Sequence, residues 1–413
     1  MSAWRRQLRS SEPLEIEGGL TEPLEVLMPG NFQRWIALLG RRDGPTDGVA
    51  DYCTYLGAAL RLHGYELETV HVPWPEHGWG AALADLRRRA EDWSGRWVLL
   101  QHTALSWSRR GFPLHAQRIL ATLRDSGARC GVVFHEFGPA GGSRIVDRAR
   151  NYCQIRVLQN LYEHAERAIF TVPVEEVSWI APGGDKAFFI PIGANIPEPS
   201  THACKDADGK KTVAIFSVTG GAQTLPEVAD IGFAVKQASR ATGPLRLVVM
   251  GRGSKEAERA LREEFSGTNV ALEVLGLVSA EELTGALASA DVQLFVRGHI
   301  SNRRGTAIAG IACGLPIVCY AGPETGWPVT EAGILSAPLG DRQALSAALE
   351  SVLTHVTLRE SLAERSRRAQ KQYFSWHAIA ARYAHSVGGA GEGSGGAVAG
   401  SPDCSTNGID PGS

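Results

Sequence analysis

Residues 292–320 read VQLFVRGHISNRRGTAIAGIACGLPIVCY. The run VQLFV at 292–296 is apolar and of strand length. Residues 306–313 are small or branched apolar residues of helix length, and Gly314 stops them. Residues 315–320, LPIVCY, form a second apolar run rich in strand formers. Two apolar strands joined through a helix make the parallel βαβ unit, whose strands are covered on both faces. The uncharged stretch 305–323 approaches the length of a membrane span, but Gly314 and Pro316 interrupt it, so it reads as helix, turn and strand.

Outward from this unit the same grammar recurs. In the second half, strands are expected at 212–217 (TVAIFS), 245–250 (LRLVVM) and 271–275 (ALEVL), with helices at 227–241, 255–265, 279–288 and 341–356. In the first half, strands are expected at 35–39 (WIALL), 66–72, 97–101, 130–135 and 168–172. Helices at 51–63 and 114–125 stop at Gly64 and just before Gly127. Between the halves, PEPSTHACKDADGKK is polar and carries Pro and Gly, as an interdomain linker does. The expectation is an α/β chain with two Rossmann-like domains. Residues 1–22 are expected as an N-terminal tail, 23–197 as the first domain, 198–211 as the linker and 212–365 as the second domain. Closing helices follow at 366–387, and the Gly- and Ser-rich residues 388–413 are expected to be disordered.

Composition narrows the function. The chain has 413 residues, 42 Lys+Arg against 44 Asp+Glu, 44% hydrophobic and 21% charged residues, which is an ordinary globular balance and excludes bulk disorder. A formal charge of -2 gives no reason to expect a nucleic-acid partner. The seven cysteines follow no ligand spacing and are expected as reduced thiols in the cytoplasm. The basic residues near Met1 have no apolar stretch behind them, so no signal peptide is expected. Neither a His-Glu-x-x-His nor a paired-cysteine motif marks a metal site, and none is expected.

Chemistry concentrates at strand ends. The loop ISNRRGT follows the strand at 292–296 and opens a helix, where free N–H groups suit a pyrophosphate. Ser301, Asn302, Arg303, Arg304, Gly305 and Thr306 are therefore candidate phosphate-binding residues, with the two arginines expected as exposed loop charges. Gly220 in SVTGGAQ offers backbone contacts, and Arg252 in GRGS either reaches a nucleotide or caps its turn. In the first half, DGPTDGV places Asp47 and Gly48 ahead of a helix, either as a ligand loop or as an ordinary strand-to-helix turn. His135 and Glu136 follow a buried strand, at the edge where open α/β sheets collect ligands. Gln101 and His102 end a neighbouring strand, and the nearby Arg109 and Arg110 are read as surface.

Taken in order, these segments resemble a known family. LRLVVMGRGSKEAERAL, VLGLVSAEELTGALASADVQLFVRG and GTAIAGIACGLPIVCYAGPETGWPVTEAGILSAPLGDRQALSAALESVL are similar to the C-terminal half of glycosyltransferase family 4. DGPTDGVADYCTYLGAALRLHGYE resembles its glycine loop and first helix, PIGANIP the segment before its linker, and YFSWHAIAARYAHSV its closing helix. The likeness runs over about 32–387. It implies the GT-B fold, closing helices that pack back on the N-terminal domain, and transfer of a sugar from a nucleoside-diphosphate donor to a hydroxyl acceptor with retention. It also implies no cofactor beyond that donor, no metal, and peripheral membrane contact as one option for the acceptor. His135 would lie near the donor sugar as the catalytic residue, and 301–306 with Arg252 and Gly220 near the diphosphate. The sequence departs from the family at its paired glutamates, whose positions are Ser301 and Ala309 here. That departure keeps two rivals: a non-catalytic GT-B partner of an active transferase, and a nucleotide-sugar epimerase using Glu136 and Glu324. Base, sugar, acceptor and oligomeric state are left open.

Overall fold

The computed structural model describes residues 32–391, apart from 45–46, 139–140, 143, 182–183 and 200–208. The expected N-terminal tail, most of the expected linker and nearly all of the Gly/Ser-rich tail lie outside the described residues. Among those described, two six-stranded parallel sheets follow one another along the chain.

The first sheet contains β1 Gln33–Leu39, β2 Tyr65–His71, β3 Trp97–His102, β4 Arg129–Phe134, β5 Arg167–Phe170 and β6 Ala187–Phe189, in the order β2-β1-β3-β4-β5-β6. The second contains β7 Lys211–Phe216, β8 Leu245–Met250, β9 Val270–Gly276, β10 Val292–His299, β11 Ile317–Ala321 and β12 Ile334–Pro338, in the order β12-β11-β10-β7-β8-β9. Central strands are the apolar runs that the sequence marks: every residue of β3 is buried. Edge strands β6 and β12 were not expected. They are short and only partly buried, so they carry little of the apolar signal of a central strand.

Helices cover both sheets. In the first half these are α1 Gly48–Leu60, α2 Trp74–Ala90, α3 His115–Asp125 and α4 Ile145–His164. In the second half they are α5 Thr224–Thr242, α6 Ser254–Glu264, α7 Ala280–Ala288, α8 Gly305–Ala312, α9 Arg342–Thr354 and α10 Val356–Ala369, with α11 Trp376–Val387 closing the chain. The single helix expected at 341–356 breaks at His355, whose extended backbone (φ -100, ψ 101) separates α9 from α10. Five cysteines among the described residues, Cys53, Cys130, Cys153, Cys313 and Cys319, are unpaired. Among the described residues no helix is long and apolar enough to cross a membrane.

Helix α11 returns to the first half. Its Tyr383 hydroxyl meets the Tyr52 hydroxyl of α1 at 2.8 Å in a buried contact. Trp376 stacks on Tyr55 with ring centroids 5.7 Å apart and donates its Nε1–H to the Ala194 carbonyl at 2.7 Å. Burial raises both phenol pKa values, so each ring keeps its proton and one hydroxyl donates to the other. Tyr383→Phe should leave the Tyr52 hydroxyl buried without this partner and cost about 1–3 kcal/mol. The double change Tyr52→Phe/Tyr383→Phe should cost clearly less than the sum of the single changes, as urea unfolding of all four chains would measure.

Candidate functional site

Open parallel sheets bind ligands where the strand order reverses, outside the carboxyl ends of the strands. In the first sheet that point lies between β1 and β3, and in the second between β7 and β10. The loops leaving β1 and β3 are locked together. Arg41 N donates to Ser106 O at 2.9 Å, and a Cβ on Gly40 would fall 2.2 Å from the same oxygen. The two sheets present these ends to one another. Arg252 Nη1 lies 3.3 Å from Asp43 Oδ2, and the Arg303 guanidinium sits 4.9 Å above the Phe137 ring.

On the second-sheet side the backbone is tightly constrained. Ser217 has φ 72, a left-handed conformation that non-glycine residues seldom adopt. It is held by its N–H donating to Met250 O at 2.8 Å, and Val218 N donates to Arg252 O at 3.0 Å. Strand β10 bulges: Phe295 pairs with Cys319 and His299 with Tyr320, which leaves 296–298 outside the register. Bulges re-aim side chains beside active sites. Here the bulge carries Arg297, whose Nε donates to Thr219 Oγ1 of the β7 loop at 3.3 Å, and Gly298 at φ 69. Arg304 lies close by, its Nη2 3.7 Å from a Cβ built on Gly298.

Four arginines therefore meet at one edge. Burial lowers the Arg304 pKa from its ordinary value; Arg303 beside it lowers it next, and Arg297 also does so. Burial likewise lowers that of Arg297, with Arg252 adding to the effect. Glu324 and Glu227 oppose these shifts. Glu227 is already engaged, its Oε2 accepting from Thr219 N at 2.7 Å. Half-buried like charges raise the free energy of the empty site, and a bound polyanion relieves this through charge-assisted hydrogen bonds. Arg297 was missed from sequence; the apolar run that ends at Val296 and the Arg-Gly beyond it were its only signal.

The residues singled out from sequence fare differently. Asn302 is buried and its amide is committed: it donates from Nδ2 to Trp327 O at 2.9 Å and accepts from Val329 N at 3.0 Å. Its amide serves the 327–329 backbone because an unpaired buried amide would be costly. Ser301 is also buried, and its Oγ has no hydrogen-bond partner among the described residues. Arg303 is not an exposed loop charge. Its side chain is 27% exposed and donates from Nη2 to Glu324 Oε2 at 2.7 Å. Arg304 occupies the N-cap of α8 without capping it by a side-chain bond; Gly305 and Thr306 form the first turn. Gly220 is extended (φ -74, ψ 167), and a Cβ built there would meet nothing within 4 Å.

Asp47 is the N-cap of α1. Its Oδ1 accepts from Val49 N and Ala50 N, both at 3.1 Å, and its Oδ2 from Asp43 N at 3.2 Å. Those bonds make it the shaper of the loop rather than a free acid. Gly48 gives its carbonyl to Asn195 Nδ2 at 2.9 Å, which ties the loop to the PIGANIP segment. Glu136 accepts from Ala104 N at 2.7 Å through Oε2. Arg109 and Arg110, expected as outer surface, line a cavity of about 530 Å³ together with Glu136, Arg303 and Glu324.

His135 Nε2 lies 2.8 Å from Gln101 Oε1, and its ring meets Tyr52 edge-on at 5.2 Å. With the amide oxygen accepting, Nε2 carries the proton and Nδ1 remains an acceptor. Burial holds the His135 pKa down to about 4, and that of the neighbouring His102 to about 3. Both rings are then neutral near pH 7. An unfolded histidine titrates near 6.5, so below that pH the unfolded chain binds more protons than the folded one. The stability that these rings contribute is complete above about 6.5 and is lost as pH falls towards the folded values. Urea midpoints should drop on acidification from about pH 7 to 4.5, and His135→Gln should remove roughly one proton from the slope.

Among the described residues no group of three or more His, Cys, Asp or Glu side chains is placed to hold a metal. One Asp-x-Asp does occur, at Asp206 and Asp208, and it lies outside the described residues.

Comparison with known proteins agrees with this architecture. The family model "Glycosyl transferases group 1" matches residues 222–355, the stretch holding Arg252, Arg297, Arg303 and Arg304. The Anabaena HepE structure in complex with UDP and glucose is similar at TM-score 0.59 and 15% identity, over 86% of this chain and 100% of that one. Sucrose-phosphate synthase from Thermosynechococcus elongatus is similar at TM-score 0.60 and 17% identity, over 86% and 98%. A putative UDP-N-acetylglucosamine 2-epimerase from Listeria monocytogenes is similar at TM-score 0.57 and 10% identity, over 86% and 96%. The search of curated proteins gives no match. The fold is GT-B, an α/β architecture of two parallel-sheet halves.

Proposed function

We propose that the protein is a glycosyltransferase that moves a sugar from a nucleoside-diphosphate donor to a hydroxyl acceptor. The observation that carries this is the half-buried arginine cluster at the β7/β10 switch point, inside the stretch that the family model matches. Arg252, Arg297 and Arg304 would hold the diphosphate, and Arg303 would bridge towards the acceptor side. In the reaction the bond from the sugar's anomeric carbon to the diphosphate oxygen breaks, and the electron pair leaves with the diphosphate. The acceptor oxygen bonds to that carbon, and its proton passes to the departing diphosphate. Negative charge grows on the leaving group, where preorganised guanidinium groups stabilise it most. Neutral His135 would hydrogen-bond the donor sugar. Retention and membership of glycosyltransferase family 4 rest on the sequence resemblance. Ala309, buried in α8, supplies no carboxylate for the ribose, so this chain would hold the nucleoside by other groups. The unpaired thiols are consistent with a reducing compartment such as the cytoplasm.

The test is calorimetric binding of UDP, GDP, ADP and dTDP, followed by turnover of the matching nucleotide sugars. No binding to any of the four would overturn the proposal. Nucleotide binding without transfer or hydrolysis would instead favour a non-catalytic binder, the reading that the missing glutamates keep open. Arginines can stabilise the leaving group without a metal, so turnover should survive EDTA. Activity lost in EDTA and restored by Mg²⁺ or Mn²⁺ would count against them as the leaving-group stabilisers.

A further inference from the structure

We infer that the cavity between the two halves receives an acceptor carrying a phosphate monoester; this rests on the transferase reading above. The cavity measures about 530 Å³, room for a small glycosyl acceptor, and three separate segments bring arginines to it. Arg109 and Arg110 come from the loop after β3, Arg150 from α4 and Arg303 from the loop after β10. Only two carboxylates, Glu136 and Glu324, line it with them. Glu324 neutralises Arg303 directly and Asp147, beside the wall, neutralises Arg150, while Glu136 also accepts from Ala104 N, so the positive excess rests with Arg109 and Arg110.

The guanidinium groups keep donors in reserve. Arg109 commits Nη2 to Pro75 O at 3.1 Å. Arg150 commits Nε to Arg110 O at 3.0 Å and Nη1 to Asp147 Oδ1 at 2.9 Å, which fixes its plane. Arg303 commits Nη2 to Glu324, while its Nε is buried without a partner among the described residues. The exposed Arg110 side chain has no hydrogen-bond or ion-pair partner among the described residues. Convergent, partly oriented guanidinium groups in an excess of positive charge are the setting that recognises a tetrahedral phosphate. Phe137 and Leu105 supply apolar wall for the uncharged body of such a molecule. Arg303 belongs both to this lining and to the charge field around Arg304, so acceptor anion and leaving diphosphate would flank one side chain.

Two sources share this chemistry, a soluble sugar phosphate and a phosphate-bearing lipid headgroup, and two arms separate them. In the first, calorimetry on the full chain compares glucose 6-phosphate with glucose, and glycerol 3-phosphate with glycerol. In the second, the chain is sedimented with phosphatidylcholine vesicles with and without phosphatidic acid. Either a phosphorylated probe binds at least about 10-fold tighter than its neutral parent, or phosphatidic acid recruits the chain. Arg110→Glu should weaken the positive arm about 10-fold or more, with an unchanged melting curve, since its side chain holds nothing in the fold. Arg110→Lys should restore part of the loss. No preference for the phosphorylated probe in either arm, or a preference indifferent to Arg110→Glu, overturns the inference. UDP binding by the unaltered chain, measured alongside, reports separately on the donor site: its failure would overturn the transferase reading, whereas the two arms above decide the phosphate pocket.

Discussion

Arg304→Ala is expected to lower kcat/KM for nucleotide-sugar turnover by roughly 10- to 150-fold, the equivalent of losing one charge-assisted hydrogen bond of about 1.5–3 kcal/mol. Arg304 is half-buried at the N-cap of α8, with Arg303 and Arg297 as like-charged neighbours. A guanidinium in that position is repelled when the site is empty and is matched when charge develops on a departing diphosphate. The loss should therefore appear in kcat as well as in KM. Folding should be nearly untouched or slightly improved, because the change removes a like-charge contact. Steady-state kinetics beside a urea titration would check both. An unchanged kcat/KM in a folded Arg304→Ala chain would remove the arginine cluster from the reaction.

Gly253→Ala should be among the most damaging single-methyl changes in the second half. Gly253 has φ 75, and a Cβ there would lie 1.9 Å from Val218 O. The left-handed backbone costs a β-carbon about 1–2 kcal/mol, and forcing an extra methyl into packed backbone adds roughly 1–3 kcal/mol. Together they predict a loss of about 2–5 kcal/mol. The clash also pushes apart the loops after β7 and β8, which carry Thr219 and Arg252, so nucleotide binding should weaken in whatever fraction stays folded. Gly220→Ala is the control: the same methyl at an extended glycine with nothing within 4 Å should change stability by less than about 0.5 kcal/mol. Urea midpoints of the two variants should differ widely, and equal midpoints would contradict the packing argument.

Sequence and structure agree most where burial is two-sided. The apolar runs 97–100 of β3, 247–250 of β8 and 317–321 of β11 are legible without coordinates because helices cover both faces of the sheet. Edge strands β6 and β12 face partly outward and lose that signature. Helix α4 hid for a related reason: its first turn exposes Ile145 and Val146, and only four of its residues are buried. The candidate loops were found because strand ends and glycines mark them, but the direction of each side chain was not. Asn302 turned inward to the 327–329 backbone, Asp47 became a helix cap, and Arg110 came to line a cavity.

What the sequence determined by itself was the alternation of strands and helices, the division into two parallel sheets and the segments that end at their carboxyl edges. These follow from local periodicity, since a residue's neighbours along the chain decide whether it fits a buried strand or a helix face. The tertiary structure alone decided which arginines share a field. Arg252 follows β8, whereas Arg297 and Arg304 belong to β10 and the loop after it, and the three meet because the strand order places β10 beside β7 and because β10 bulges. Such a meeting depends on closure across the sheet and across the cleft, and electrostatic coupling falls off with distance in space, not with separation along the chain.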